Sequence, residues 1–522
     1  MNITVQSEKS ALPSKTDNIV IFVSEETVGK LPLENLAAST RKWIQKRLDA
    51  HHFQGKKQRI VTIDLEQPYQ SITFVGIGKE SEFTHNDLRN LTGDVIRHFR
   101  SEKLSSVTVV VSPVIGTDFV TLGETISVGA LLGNYQFLKY KSKEKTKELS
   151  TVTDVSVYIS ESHGKKADIT RFTHGVERGS VIARGTAQAR DFVNEPASHF
   201  TPALLAREAQ KIAKASRGKV SITVLGESEC QKLGMGAYLG VGQGSSNKPH
   251  FIVLTYNPDT GKKVKESAKS KNKKKICFVG KSVTFDTGGY TLKPNQFMTD
   301  MKLDMSGGAA VLGLFSVLAE WDEDKFGKIP YTVLGVLPAC ENMISGDAFR
   351  PGDVVTAMNG KTIEVMNTDA EGRLTLADAL CYADTQLHAD IMIDLATLTG
   401  SAMVGLGTQI AALLCNDPEL SERVLASAQN QGENLWMLPL HEGYHKDLKG
   451  DTADLQNVGA KRYGDAIFAG LFLREFVGNR RWAHLDIAGP AYEKDSAQGI
   501  NEMGGTGYGV RTMLEIITSE NI

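Results

Sequence analysis

Two stretches of this chain concentrate side chains able to do chemistry. The first runs from Lys281 through Asp286 and Lys293 to Asp304. The second is Asn367-Thr368-Asp369-Ala370-Glu371-Gly372-Arg373. Four carboxylates thus alternate with two lysines and an arginine. Carboxylates bridge cations, and water shared by two cations loses a proton near neutral pH, so the set suits a dinuclear metal site. Plainer roles stand beside that one. An Asp-x-Glu pair ahead of a helix most often caps it. Asp286 before Thr-Gly-Gly is equally a natural turn residue. The flanks tilt the balance, because VTFD and MKLDM put charge in apolar surroundings where an unpaired charge is costly.

These residues need elements to hold them. The first block begins where a strand, Ile276–Val279, ends, and ligands in α/β sheets bind beyond such strand ends. The second lies between a short strand, Ile363–Val365, and a helix, Leu374–Gln386. Further strands are expected at Phe251–Tyr256, Tyr331–Val336 and Ile391–Leu395. The first part of the chain also reads as α/β, with strands at Ile72–Ile77 and Val107–Val111 and another near Thr151–Ser160. Helical spacing marks Asn86–Arg100 and Glu124–Tyr140. Strand–helix–strand order predicts a mostly parallel sheet covered on both faces. No carboxylate cluster or phosphate loop appears there. A helical stretch near 170–190 joins the halves. The expected division is an N-terminal α/β domain over 1–165, a linking helix over 166–190 and a larger catalytic α/β domain over 191–522. The last has a mixed central sheet flanked by helices.

Composition narrows the class. At 522 residues the chain is long enough for two domains. It is 41% hydrophobic and 23% charged, as in ordinary globular proteins. A net charge of -2 argues against a strong nucleic-acid binder. The opening MNITVQSEKSALPSK has no apolar core, so no secretory signal is expected. No run of about 18 apolar residues is seen, so no membrane span is expected either. Five scattered cysteines without a CxxC pair fit a reducing cytoplasm and offer no zinc–cysteine site. The segment 261–275 carries eight lysines and one glutamate, which reads as a solvated loop.

At this point a resemblance becomes visible. NTDAEGRL (367–374) and the spaced Lys-Asp-Lys-Asp block resemble the leucyl, or cytosol, aminopeptidase family. The likeness continues through RDFVNEPASHFTP (190–202), GAYLGVGQGS (236–245), DLATLTG (394–400), DLQNVG (454–459), WAHLDIAG (482–489) and GYGVRT (507–512). It is loose in the first part. The resemblance implies two divalent metal ions, manganese or zinc. Lys281, Asp286, Asp304 and Glu371 would hold one. Asp286, Asp369 and Glu371 would hold the other, Asp369 also through its carbonyl. It implies Lys293 as the lysine facing the polarised carbonyl, and a bicarbonate held by Arg373 with Gly372 and Leu398. It places Met301, Asn367, Thr397, Gly400, Ala488 and Ala491 around substrate. Short peptides as substrates and a homohexamer are implied as well. Ser282, Thr287 and Tyr290 depart from the family's usual residues without removing a ligand.

Physical chemistry agrees on several points. A lysine ligand must be neutral, which only adjacent cations make reasonable for Lys281. Lys293 is then left charged to stabilise an oxyanion. All four carboxylates are committed to metal, so an exogenous base at a helix start beside Arg373 fills a gap. His441-Glu-Gly-Tyr-His445 matches HExxH, but Gly443 weakens the helix that motif requires, so no zinc role is expected. GVGQGSS (240–246) lacks the Gly-Lys-Ser/Thr ending of a phosphate loop. A DNA-binding regulator, a second role of some bacterial members of the family, is the alternative, and only the lysine run supports it.

Overall fold

A computed structural model describes residues 1–14, 16–111, 118–161, 165–257, 273–459 and 463–519. The lysine-rich run lies outside these residues except for Lys273–Lys275. The backbone divides into two compact units. The first is Met1–Arg184 with Ser496–Glu502, the second Gly185–Asp495 with Met503–Ile522.

The first unit is built on β1 (Asn2–Glu8), β2 (Asn18–Ser24), β3 (Ile60–Asp64), β4 (Ser71–Gly78), β5 (Ser106–Val110) and β6 (Asp154–Ser160). Their order is β1-β6-β5-β2-β4-β3. Every pairing is parallel except β3 with β4. β2 and β4 are buried along their whole length, as strands covered on both faces must be. Leu88, Leu91, Val95 and Phe99 form the apolar stripe of the helix His85–Ser101, which Thr84 and Asp87 start with a capping box. The helix expected at 124–140 runs over Phe119–Gly133 instead. Asp118 accepts from the Thr121 amide and so starts it earlier. It ends at Asn134, whose side chain turns to the backbone of Val152.

The second unit holds β7 (Val220–Leu225), β8 (His250–Tyr256), β9 (Lys275–Gly280), β10 (Ser282–Asp286) and β11 (Thr332–Asn342). After the short β12 (Val354–Thr356) and β13 (Thr362–Glu364) come β14 (Ile391–Ala396), β15 (Ala411–Cys415) and β16 (Leu435–Met437). β17 (Leu455–Gln456) and β18 (Arg481–Asp486) follow. Nine strands form one mixed sheet in the order β16-β15-β18-β14-β9-β11-β8-β7, with β10 also on β11. β12, β13 and β17 form a small sheet. The central strands β18, β14, β9 and β11 run parallel, so their C-terminal ends share one edge. That edge carries the site.

Two further helices differ from expectation. The joining helix spans Lys166–Asn194, starting at the residue expected for the linking helix over 166–190 and ending beyond it. The helix after the second block starts at Glu371 rather than Leu374, which puts Glu371 and Arg373 in its first turn. Met301–Glu320 is by length and composition apolar enough to cross a membrane, which the sequence reading did not anticipate. Its most apolar stretch is 94% buried inside the protein, as a core helix would be.

Candidate metal centre

Lys281 leaves the end of β9 with its side chain almost fully buried. Its ammonium lies 2.7 Å from Asp304 Oδ1 and 2.9 Å from Glu371 Oε1, and donates to the Thr397 carbonyl at 3.0 Å. Thr397 follows β14, and its hydroxyl donates to the same Asp304 oxygen at 2.8 Å. Asp304 comes from the 3-10 turn Met301–Met305, just ahead of the core helix. Gly372 lets Lys281 keep this position. A Cβ there would meet Lys281 Cε at 2.5 Å, so the lysine passes directly over the helix start.

The second lysine closes the other side. Lys293 Nζ lies 2.8 Å from Asp286 Oδ2 and 2.5 Å from Asp369 Oδ1. Gly288 makes this approach possible, with φ +82° and no Cβ to meet Asp369 Oδ1 at 2.7 Å. Asp286, Asp304 and Glu371 offer oxygens within 4.8 Å of one another. Among the described residues no other group of three acidic, histidine or cysteine side chains comes that close.

The electrostatics are those of a cation site. Four carboxylates face two ammoniums, which leaves an excess of buried negative charge. Burial, then the charge of Glu371, pushes Asp286 up to about 7. Burial likewise raises Asp304 and Asp369. Burial also acts against the Glu371 charge, but Lys281 and Lys293 outweigh it and hold this carboxyl below its ordinary value. For Lys281, burial favours the neutral amine, yet Asp304, Glu371 and Asp286 outweigh it and raise its pKa. The amine becomes a ligand only when divalent cations displace that proton. Asp304 Oδ2 and Glu371 Oε2 are buried and lack a hydrogen-bond partner. Oxygen donors with unused lone pairs and one amine fit hard or borderline divalent ions.

Arg373 is buried in the first helical turn. It donates to the Asn457 carbonyl at 2.8 Å and lies 3.1 Å from Asp465 Oδ1, while its Nε has no hydrogen-bond acceptor. The Leu398 amide, expected at the anion, donates to Asp486 Oδ1 at 3.1 Å. Asp486 also accepts from the Ala488 amide and the Thr399 hydroxyl, so one buried carboxylate ties the Thr397–Thr399 loop to Ala488. Ala491 is buried beyond Ala488. Met301 shares the turn of Asp304, and Gly400 opens the helix Gly400–Leu406. Asn367 accepts the Asp369 amide at 2.8 Å and so shapes the turn that carries that carboxylate.

Three positioning groups escaped the sequence reading. Asn457 accepts from the Met366 and Asn367 amides and donates to the Asn367 carbonyl at 2.6 Å, which clips the carboxylate turn in place. Asn342 acts on both blocks from the end of β11, and Asp486, at the end of β18, acts on the Thr397–Thr399 loop. DLQNVG and WAHLDIAG contain two of the three, but the segments they hold, the Asn367 turn and the Thr397–Thr399 loop, are far along the chain. The side chains of the HExxH segment have other partners. His445 pairs with Glu475 at 2.7 Å, and Glu442 pairs with Arg474. His441 stacks edge-on against Tyr444.

Comparison with known proteins places these features in context. Residues 187–514 match the cytosol aminopeptidase family catalytic domain, and residues 19–144 match that family's N-terminal domain. A probable cytosol aminopeptidase of Aquifex aeolicus is 39% identical over 506 residues, covering 96% of this chain and 95% of the relative. One from Clostridium perfringens is 36% identical over 510 residues, covering 97% and 98%. Among solved structures, a mutant of tomato leucine aminopeptidase superposes with a TM-score of 0.85 at 33% identity, over 99% of this chain and 96% of that one. The bottromycin maturation enzyme BotP in complex with Mn gives 0.80 at 30% identity, over 96% and 99%.

Proposed function

The chain belongs to the cytosol aminopeptidase family and is a metal-dependent aminopeptidase, and from that premise we propose that it releases leucine and other apolar N-terminal residues from short peptides. One observation carries the site assignment: a buried cluster of Asp286, Asp304 and Glu371 around Lys281, with unused carboxylate lone pairs. In this reading Lys281, Asp286, Asp304 and Glu371 hold one divalent ion, and Asp286, Asp369 and Glu371 the other. Manganese or zinc would serve. When bound, the two ions supply a water activated at neutral pH and a Lewis acid for the scissile carbonyl.

The protein's own groups then have distinct tasks. Lys293, beside Asp286 and Asp369, would present its charge to the carbonyl oxygen as negative charge develops there. No carboxylate remains for proton transfer. Arg373, with Gly372 and Leu398, would hold a bicarbonate that supplies the missing base, and the unpartnered Arg373 Nε supports that role. The Leu398 amide would have to share its proton with Asp486. Met301, Asn367, Thr397, Gly400 and Ala488 would line the substrate site, small or apolar enough for leucine or methionine. A homohexamer in the cytoplasm completes the proposal.

The test is a substrate pair. Manganese-loaded protein is expected to hydrolyse leucine p-nitroanilide at least about 100-fold faster than the N-acetylated analogue, because a free α-amine is a ligand and an amide is not. Equal rates for both would sink the exopeptidase reading, and no hydrolysis of either would sink the enzyme.

A further inference from the structure

The two chemical blocks are far apart in sequence, and one side chain bridges them. Asn342 ends β11 beside β10, in register with Asp286. It is fully buried. Its Nδ2 donates to Asp286 Oδ1 at 2.8 Å and to the Thr368 carbonyl at 2.9 Å. Both partners are acceptors only, so the amide can face one way. Its backbone carbonyl accepts from the Thr287 amide and hydroxyl, which pins the turn after Asp286 to the same residue. Asn342 Oδ1 has no hydrogen-bond partner and faces Gly289, where a Cβ would come within 3.1 Å. Thr368 adds a second latch. Its hydroxyl donates to the Gly288 carbonyl at 2.7 Å and accepts from the Thr291 amide at 2.8 Å.

The consequence is geometric. Asp286 belongs to both proposed ion sites, and Asp369 directly follows Thr368 in the second. Whatever fixes Asp286 against Thr368 therefore fixes the second site. Resting on the metal assignment above, we propose that Asn342 is a positioning residue that builds the Asp286–Asp369–Glu371 ion site without touching the ion. The Asn342 N–H and the Gly288 amide, at 2.8 Å each, both take Asp286 Oδ1, which orients that carboxylate and leaves Oδ2 to the ions. The Thr368 bond holds the Asp369 turn at the matching distance. The first site, centred on Lys281 and Asp304, has its own anchors in Thr397 and Glu371 and depends less on Asn342.

The experiment is a manganese titration of the full chain by calorimetry, with bound metal counted by elemental analysis. Wild type is expected to bind two ions in two steps. Asn342→Ala is expected to weaken one step at least tenfold while the other stays within about threefold. Its kcat on leucine p-nitroanilide should fall about as far, with KM within about threefold. Asn342→Ser, whose hydroxyl cannot reach both acceptors, is read the same way should the alanine variant fail to fold. Two wild-type-like steps in a folded variant would overturn the inference and leave the metal site standing. Fewer than two ions on wild type would overturn both.

Discussion

Replacing Glu371 with glutamine should lower leucine p-nitroanilide hydrolysis by at least about a thousandfold, because that carboxylate is a proposed ligand of both ions and also pairs with Lys281. The same change should lower the stability of the metal-free protein only modestly, because Lys281 and Lys293 favour the Glu371 charge while its removal relieves Asp286 and Asp369. In that state four carboxylates share two ammoniums. Glu371 is the strongest charge acting on Asp286 and on Asp369, and it makes both harder to ionise. Glutamine keeps the shape and removes that repulsion. Lys281 retains Asp304 and the Thr397 carbonyl, so its charge is not orphaned. The stability gained on adding manganese should shrink, since binding to the folded state alone is what stabilises it. Thermal melts with and without metal separate the two effects. A variant that melts far below wild type without metal would mean that Glu371 is a structural ion-pair partner.

The second large effect concerns Lys293. Lys293→Met preserves length and removes charge, and kcat should fall about 100- to 1000-fold, the usual loss for one group stabilising an oxyanion. Metal binding should not weaken. In the protein alone the Lys293 ammonium occupies Asp286 and Asp369, two of the carboxylates proposed to hold the second ion. Those carboxylates, together with Glu371, overcome the opposing effect of burial and raise its pKa, so it competes as a full charge. Without that competitor the ion should bind as tightly as before or more tightly. A manganese titration beside steady-state kinetics reads both. Weakened metal binding with unchanged kcat would assign Lys293 to the scaffold.

Much of this was legible because charge sits where apolar residues predict burial. VTFD and MKLDM announced Asp286 and Asp304 as costly unless paired, and both are nearly inaccessible. The core strands β4, β9 and β14 were legible for the same reason, as short runs of apolar residues. What stayed hidden depends on partners remote in the chain. Asn342 acts on Asp286 and Thr368, and Asn457 on the Asn367 turn, through side-chain hydrogen bonds that no local pattern encodes. Helix limits failed where a side chain decided them, as Asp118 does for Phe119–Gly133. Gly372 had been read as an anion contact. Its clearest structural constraint is steric, since Lys281 leaves no room for a Cβ. Tyr290, a departure from the family pattern, remains half exposed and donates its hydroxyl to the Ser345 carbonyl.

The central claim is that the buried carboxylate cluster is a two-ion aminopeptidase centre. Elemental analysis of protein purified without chelator, paired with hydrolysis of leucine p-nitroanilide, tests it most directly. Two divalent ions per chain are expected, lost to chelator together with activity, and both restored by manganese or zinc. Full activity in protein stripped of metal, or two ions retained by an Asp304→Ala, Glu371→Ala double variant, would contradict it.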